Sequence, residues 1–227
     1  MERGMGGMCG IVGFKSEENF DRLRASLPEA IFSLQHRGPD DTGFFLDQKN
    51  GVGLGHRRLA VIDLSDAGRQ PMSTEDESVY IVYNGEIYNF QEIRQILVIK
   101  GHRFRTKTDT EVILNAYLEW GIDCLKRFLG MFAFALWDRR AETIFLARDR
   151  IGIKPLYYHF AGGIFLFASE LKTLMAFDGF RRHVAPEAVP LLLHYQYIPS
   201  PLTIFENTWK LLPGHYLIYD GEKLKSR

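Results

Sequence analysis

Apolar runs in this chain are short, rich in β-branched and aromatic residues, and bounded by turn residues. Residues 79–83 end at Asn84-Gly85, residues 131–137 and 143–147 enclose a short polar turn, and 156–160 and 164–168 flank Ala161-Gly162-Gly163. Runs of that length with turn signals between them predict strands, several joined as hairpins. Further strands are expected at 9–14, around 43–46 and 51–56, over 58–63, and at 216–219 ahead of Asp220-Gly221. Helical spacing appears only between them. In 17–34, Phe20, Leu23, Leu27, Ile31 and Leu34 share a face, and Pro28 predicts a kink or two short helices. Asn89 with Glu92, and Thr108 with Glu111, read as capping signals for two more helices, the second ending at Gly121. Residues 170–177 read as a short helix and 66–77 as a loop. Many short strands with a few interleaved helices predict an α+β fold with antiparallel sheets, not a regular βαβ alternation.

Composition narrows the function. At 227 residues a single globule buries about 70–75% of its unfolded surface, so it needs no metal or disulfide staple. Its 28 basic and 28 acidic residues cancel, which gives no electrostatic case for nucleic acid or an anionic membrane. Two cysteines, Cys9 and Cys124, make no disulfide framework, so a reducing cytoplasm is the expected compartment. No stretch has the length of a membrane span or the pattern of a signal peptide. Five of the nine prolines fall between Pro186 and Pro213, marking a loop-rich extension. The expected division is residues 1–8 as a leader, 9–185 as the main domain, and 186–227 as an extension completing it.

Polar residues gather where the expected strands end. Met8-Cys9-Gly10 opens the first strand; alone, Cys9 reads as a small core residue, as does Cys124. Were Cys9 the first residue of the working protein, its thiol (ordinarily near ~8.5) and α-amine (near ~7.7–8.0) would form a nucleophile and base on one residue. The loop His36-Arg37-Gly38-Pro39-Asp40 packs charges and backbone breakers together. Strand alternation puts Arg57 and Arg58 on opposite faces, so only one can enter a shared site and grip a carboxylate. Asn84-Gly85 is either a hairpin turn or a two-donor oxyanion hole. Glu86 and Asp109 could hold an ammonium, although an acidic residue at a helix start also serves the helix dipole. A Cys9 pair with His36 or His56 is open. No histidine–cysteine cluster has zinc spacing, and no phosphate-binding glycine loop or Gly-x-Ser-x-Gly elbow is present.

Read together, these stretches resemble the glutaminase domain of class II glutamine amidotransferases, the N-terminal-nucleophile type, and within it the asparagine synthetase branch. The resemblance runs through Met8-Cys9-Gly10-Ile11, His36-Arg37-Gly38-Pro39-Asp40, Arg58-Leu59-Ala60-Val61-Ile62-Asp63, Asn84-Gly85-Glu86-Ile87-Tyr88-Asn89, Thr108-Asp109-Thr110-Glu111, Gly130-Met131-Phe132-Ala133, Arg148-Asp149-Arg150-Ile151-Gly152-Ile153-Lys154-Pro155-Leu156-Tyr157 and Leu211-Leu212-Pro213-Gly214. Each motif is weak alone, and their shared order is what makes the likeness specific. Other branches usually carry His-Asn-Gly where this chain has Tyr83-Asn84-Gly85.

The resemblance implies an αββα sandwich of two antiparallel sheets flanked by helices. It implies L-glutamine as substrate, Cys9 as nucleophile with its α-amine as base, and Asn84 with the Gly85 N–H as oxyanion hole. Arg58 would take the substrate α-carboxylate, Glu86 and Asp109 its α-ammonium, and the backbone at Leu59 and Val61 would help position it. No metal or cofactor is expected for this half. ATP and Mg belong to a following synthetase domain that receives the ammonia, and its Ser-Gly-Gly loop is absent from residues 1–227. The chain is therefore expected to be part of a longer polypeptide, with the final acceptor and a homodimer both left open. Residues 1–8 precede Cys9; the expected explanation is translation from Met8 with its removal, against a propeptide or a non-catalytic relative.

Overall fold

A computed structural model describes residues 9–59 and 68–226. The short runs pair into two six-stranded antiparallel sheets. The first takes β1 (Gly10–Lys15), β2 (Asp41–Asp47), β3 (Val52–Arg58), β8 (Tyr157–Ala161), β9 (Ile164–Ala168) and β10 (Thr208–Lys210), in the order β10-β8-β9-β1-β3-β2. The second takes β4 (Met72–Ser73), β5 (Val79–Ile87), β6 (Gly130–Asp138), β7 (Thr143–Arg148), β11 (Tyr216–Tyr219) and β12 (Leu224–Ser226), in the order β12-β11-β7-β6-β5-β4. Helices α1 (Phe20–Phe32) and α4 (Leu171–Leu174) cover the first sheet. Helices α2 (Phe90–Ile99) and α3 (Asp109–Trp120) cover the second, giving the αββα order. A further helix, α5 (Ala188–Tyr195), lies in the Pro-rich segment.

Strand alternation builds the layers. On β6, Phe132, Phe134 and Leu136 join the cluster under α2 and α3, whereas Ala133, Ala135 and Trp137 face the other sheet. On β1, Val12 and Phe14 pack under α1 while Ile11 enters the inter-sheet core. Cys9 and Lys15 share the parity of Ile11, so the two ends of one strand direct polar groups between the sheets. At the Lys15 end its ammonium lies 4.9 Å from the Trp137 ring centroid, and buried Asp47 accepts from Trp137 Nε1 at 3.2 Å and Arg139 Nε at 2.8 Å. At the Cys9 end lies the thiol.

Several sequence expectations need correction. Asn84-Gly85 is not a turn: β5 runs straight through it, with Asn84 opposite Ala133 and Gly85 opposite Phe132. Residue 58 does not open a new strand but closes β3, and residues 60–63 lie outside the described residues. Pro28 does not split α1, because Leu23, Leu27, Ala30 and Ile31 keep one continuous face buried on the sheet. Asn89 does not cap α2 with its side chain; it instead bonds the Arg127 carbonyl and the Leu129 N–H. Thr108 does cap α3 through the Glu111 N–H, but the Glu111 carboxylate turns to the Arg105 and Thr106 N–H groups. Within 66–77, Met72–Ser73 pairs with β5. The helix expected at 170–177 is confined to Leu171–Leu174. The Pro-rich segment holds a helix because Pro190 falls in its first turn, where backbone N–H groups lack intrahelical partners.

Two buried histidines tie this framework together in neutral form. His56 donates from Nε2 to the Tyr83 carbonyl at 3.0 Å, joining the two sheets, and His159 Nδ1 lies 2.9 Å from Thr208 Oγ1. Burial lowers both rings to about 4. The unfolded chain therefore binds these protons more tightly, so stability is lost as pH falls below about 6.5 and bottoms out near the folded values. Denaturant midpoints are expected to show a loss of about 2 kcal/mol per histidine between pH 7 and pH 5. Equal stability at the two values would contradict this.

Candidate active site

Each polar group at the Cys9 end is placed by strand geometry. Cys9 sits just before β1, and its N–H donates across the sandwich to Asn84 Oδ1 at 3.1 Å. Its carbonyl accepts from Arg37 Nε at 3.0 Å, and its Sγ lies 3.8 Å from the Leu59 carbonyl. Asn84 is fully buried, and its Nδ2 has no hydrogen-bond partner among the described residues. A buried donor without a partner costs free energy, so it marks a place where a ligand atom is expected.

Gly85 supplies a second donor on the same strand. Its neighbours Tyr83 and Ile87 direct their N–H groups away from β6, to Gln70 Oε1 at 2.6 Å and Asp109 Oδ2 at 3.0 Å. Alternation sends the Gly85 N–H to that same edge, because Gly85 and Phe132 form a non-hydrogen-bonded pair whose Phe132 N–H turns to Asp149. β4 pairs only with residues 80 and 81, so among the described residues no strand covers the edge there. A Cβ on residue 85 would collide with the Met131 carbonyl, which restricts the position to glycine.

The charged groups converge from other elements. Arg58 is buried at the end of β3, with Gly68 packed so closely that a Cβ there would strike its guanidinium. Asp109 opens α3, nearly buried, and its Oδ2 also accepts from the Tyr83 hydroxyl at 2.7 Å. Burial raises the Asp109 carboxyl, and bonds from Ile87 and Tyr83 pull it back in part. Glu86 lies on the inter-sheet parity of Asn84 but is exposed. Val61 lies outside the described residues. Neither histidine pairs with the thiol: His36 bonds Glu170 Oε1 at 2.8 Å, and His56 is committed to Tyr83.

Sequence reasoning missed three participants. Arg37 was visible only as part of a charged loop, whereas its guanidinium is buried against the Cys9 carbonyl. Glu170, which receives Arg37 Nη1 at 3.0 Å, carried no motif signal of its own. Lys154 is buried, and burial together with Arg37 lowers its ammonium while Cys9, Asp149 and Glu86 pull it up. Its loop is shaped by Asp149, whose carboxylate accepts the N–H groups of Phe132, Ile151, Ile153 and Lys154.

Burial, the dominant influence, pushes the Cys9 thiol above its ordinary range; Arg58 and Lys154 oppose this and Asp109 adds to it. At neutral pH the thiol is protonated, and attack on a carbonyl requires a base to take that proton. Among the described residues, no cluster of three or more His, Cys, Asp or Glu could hold a metal ion. No helix there is long and apolar enough to cross a membrane.

A half-buried thiol thus lies between the two antiparallel sheets of an αββα sandwich, near a buried arginine and a buried amide donor with no partner among the described residues. The chain belongs to the glutamine amidotransferase domain family, whose profile matches residues 8–227. It is 36% identical over 221 residues to asparagine synthetase (glutamine-hydrolyzing) 3 of Bacillus subtilis, covering 96% of this chain and 36% of that protein. It is 35% identical over 222 residues to the amidase chry2 of Gibberella zeae, covering 93% of this chain and 32% of that protein. The chain thus spans about a third of the length of these relatives. A glutamine phosphoribosylpyrophosphate amidotransferase of B. subtilis shares the fold, with a TM-score of 0.66 at 20% identity, over 96% of this chain and 49% of that one.

Labelling with iodoacetamide is expected to modify Cys9 with a pH midpoint above the ordinary thiol range, moved higher still by Arg58→Ala. Fully buried Cys124, pushed to about 12, is expected to stay unmodified. A Cys9 midpoint below the ordinary range, or faster labelling of Cys124, would contradict the electrostatics described.

Proposed function

We propose that this domain hydrolyses L-glutamine to glutamate and ammonia through a γ-glutamyl thioester on Cys9. The observation carrying the proposal is Asn84, which spends its oxygen on the Cys9 N–H and keeps a buried, unpartnered Nδ2 beside it. With Cys9 as first residue, its α-amine takes the thiol proton, directly or through a water, and Sγ bonds to the side-chain amide carbon. The carbonyl electrons move to oxygen, and Asn84 Nδ2 and the Gly85 N–H stabilise that oxyanion. Collapse expels the amide nitrogen, which takes the proton from the α-ammonium and leaves as ammonia. Water then attacks the thioester, releasing glutamate and restoring the thiol.

Substrate recognition follows from the remaining charges. Arg58 grips the α-carboxylate, Asp109 and Glu86 hold the α-ammonium, and the backbone at Leu59 and Val61 fixes the chain between them. The 9–185 and 186–227 segments act as one unit, since the latter supplies edge strands to both sheets. The ammonia passes to a synthetase domain outside this chain, which uses ATP and Mg. Aspartate is the acceptor favoured by the relative named asparagine synthetase, while the relative named an amidase keeps other acceptors in view.

Glutamate release is measured for residues 1–227 and for the chain beginning at Cys9. The expected result is turnover with Cys9 first, abolished by Cys9→Ala and slowed about 10²–10³-fold in kcat by Asn84→Ala. Arg58→Ala is expected to act mainly through KM. No turnover with a free Cys9, or turnover surviving Cys9→Ala, would overturn the proposal.

A further inference from the structure

The backbone of Cys9 is held on two sides, by Asn84 at its N–H and by Arg37 at its carbonyl. Arg37 is itself buried, with a side chain only 6% exposed, and its Nη2 has no partner among the described residues. Its one carboxylate partner among them is Glu170, whose Oε1 accepts Arg37 Nη1 at 3.0 Å and His36 Nε2 at 2.8 Å. Lys172 approaches the other oxygen at 3.3 Å from the solvent side. Glu170 directly follows Ser169, which fixes the next strand position from both directions: the Ser169 N–H donates to the Ile11 carbonyl at 2.9 Å, and the Ile11 N–H donates to Ser169 Oγ at 3.0 Å. The end of β9 therefore braces the start of β1 twice, once through Ser169 and once through Glu170 and Arg37.

A buried guanidinium that loses its carboxylate partner is left poorly compensated and is driven to turn toward water. Arg37 would then release the Cys9 carbonyl, leaving the backbone of Cys9 held on the Asn84 side and not on the other. We propose that Glu170 is a positioning residue for the nucleophile, acting through Arg37; this rests on the glutaminase reading above. Substrate α-groups are met by Arg58 and Asp109 on other elements, so the loss falls on the chemical step and not on binding.

The test compares Glu170→Ala and Glu170→Gln, each made in the chain beginning at Cys9, with that same chain unaltered (the parent) in glutamine kinetics, Cys9 alkylation rate and unfolding midpoint. Glu170→Ala is expected to lower kcat about 10-fold with KM changed less than about twofold, as expected for a misplaced reacting atom. Glu170→Gln keeps an oxygen for Arg37 and is expected to recover kcat to within about threefold of the parent. A folded Glu170→Ala with unchanged kcat, or with its loss confined to KM, overturns the proposal. Should Glu170→Ala fail to fold, Glu170→Leu, which keeps the volume without an oxygen for Arg37, decides: a kcat lowered about 10-fold at unchanged KM supports the role, and an unchanged kcat overturns it. If the parent shows no glutamine turnover, the glutaminase reading falls by itself. The Cys9 alkylation rate then settles the positioning role, lowered in Glu170→Ala if it holds and unchanged if it does not.

Discussion

The hydrogen bond from the Cys9 N–H to Asn84 crosses from one sheet of the sandwich to the other, and the chemistry proposed for this domain depends on it. It exists because β1 and β5 each direct alternate side chains into the space between the sheets. At mid-strand those positions hold Ile11 and Val82, which close the core. The same parity delivers Cys9, just ahead of β1, and Asn84, two residues beyond Val82 within β5. A one-residue register slip in either strand would turn its member of the pair outward, so the packing of the inter-sheet core and the geometry of the site are one constraint.

The site is electrostatically unfinished. Asn84 Nδ2 is a buried donor without a partner among the described residues, the proposed mechanism gives it and the Gly85 N–H to the oxyanion, and the thiol beside it is held protonated by burial. Arg58 and Lys154 lie near enough to the thiol to act on it electrostatically. Arg58 and Lys154 favour the thiolate once formed, and Arg37 fixes the backbone that carries it. Both nearby histidines are committed elsewhere, and the proposed mechanism assigns the thiol proton to the Cys9 nitrogen. In residues 1–227 that nitrogen is an amide, which donates to Asn84 and cannot act as a base.

Much of the fold was legible because strand-length apolar runs and turn residues report local pairing. The hairpin at Ala161-Gly162-Gly163 and the helix capped by Thr108 follow from a few neighbouring residues each. Asn84-Gly85 was ambiguous for a physical reason: glycine suits both a tight turn and a strand whose backbone approaches Met131 closely, and only the partner strand distinguishes them. Pro28 and Asn89 misled because tertiary contacts decided both, a buried helix face in one case and the Arg127–Leu129 backbone in the other. Of the site, Cys9, Arg58, Asn84, Gly85 and Asp109 could be singled out by residue type and motif. Glu170 could not, since its importance lies in a contact with a residue 133 positions away.

Trapping the covalent intermediate tests the account most directly. The chain beginning at Cys9 is mixed with glutamine, quenched in acid within a turnover, digested and weighed by mass spectrometry. The account predicts a γ-glutamyl adduct on the peptide containing Cys9, sensitive to hydroxylamine and absent from the Cys9→Ala protein. Glutamate formed with no adduct on Cys9, or an adduct on a different residue, would contradict it.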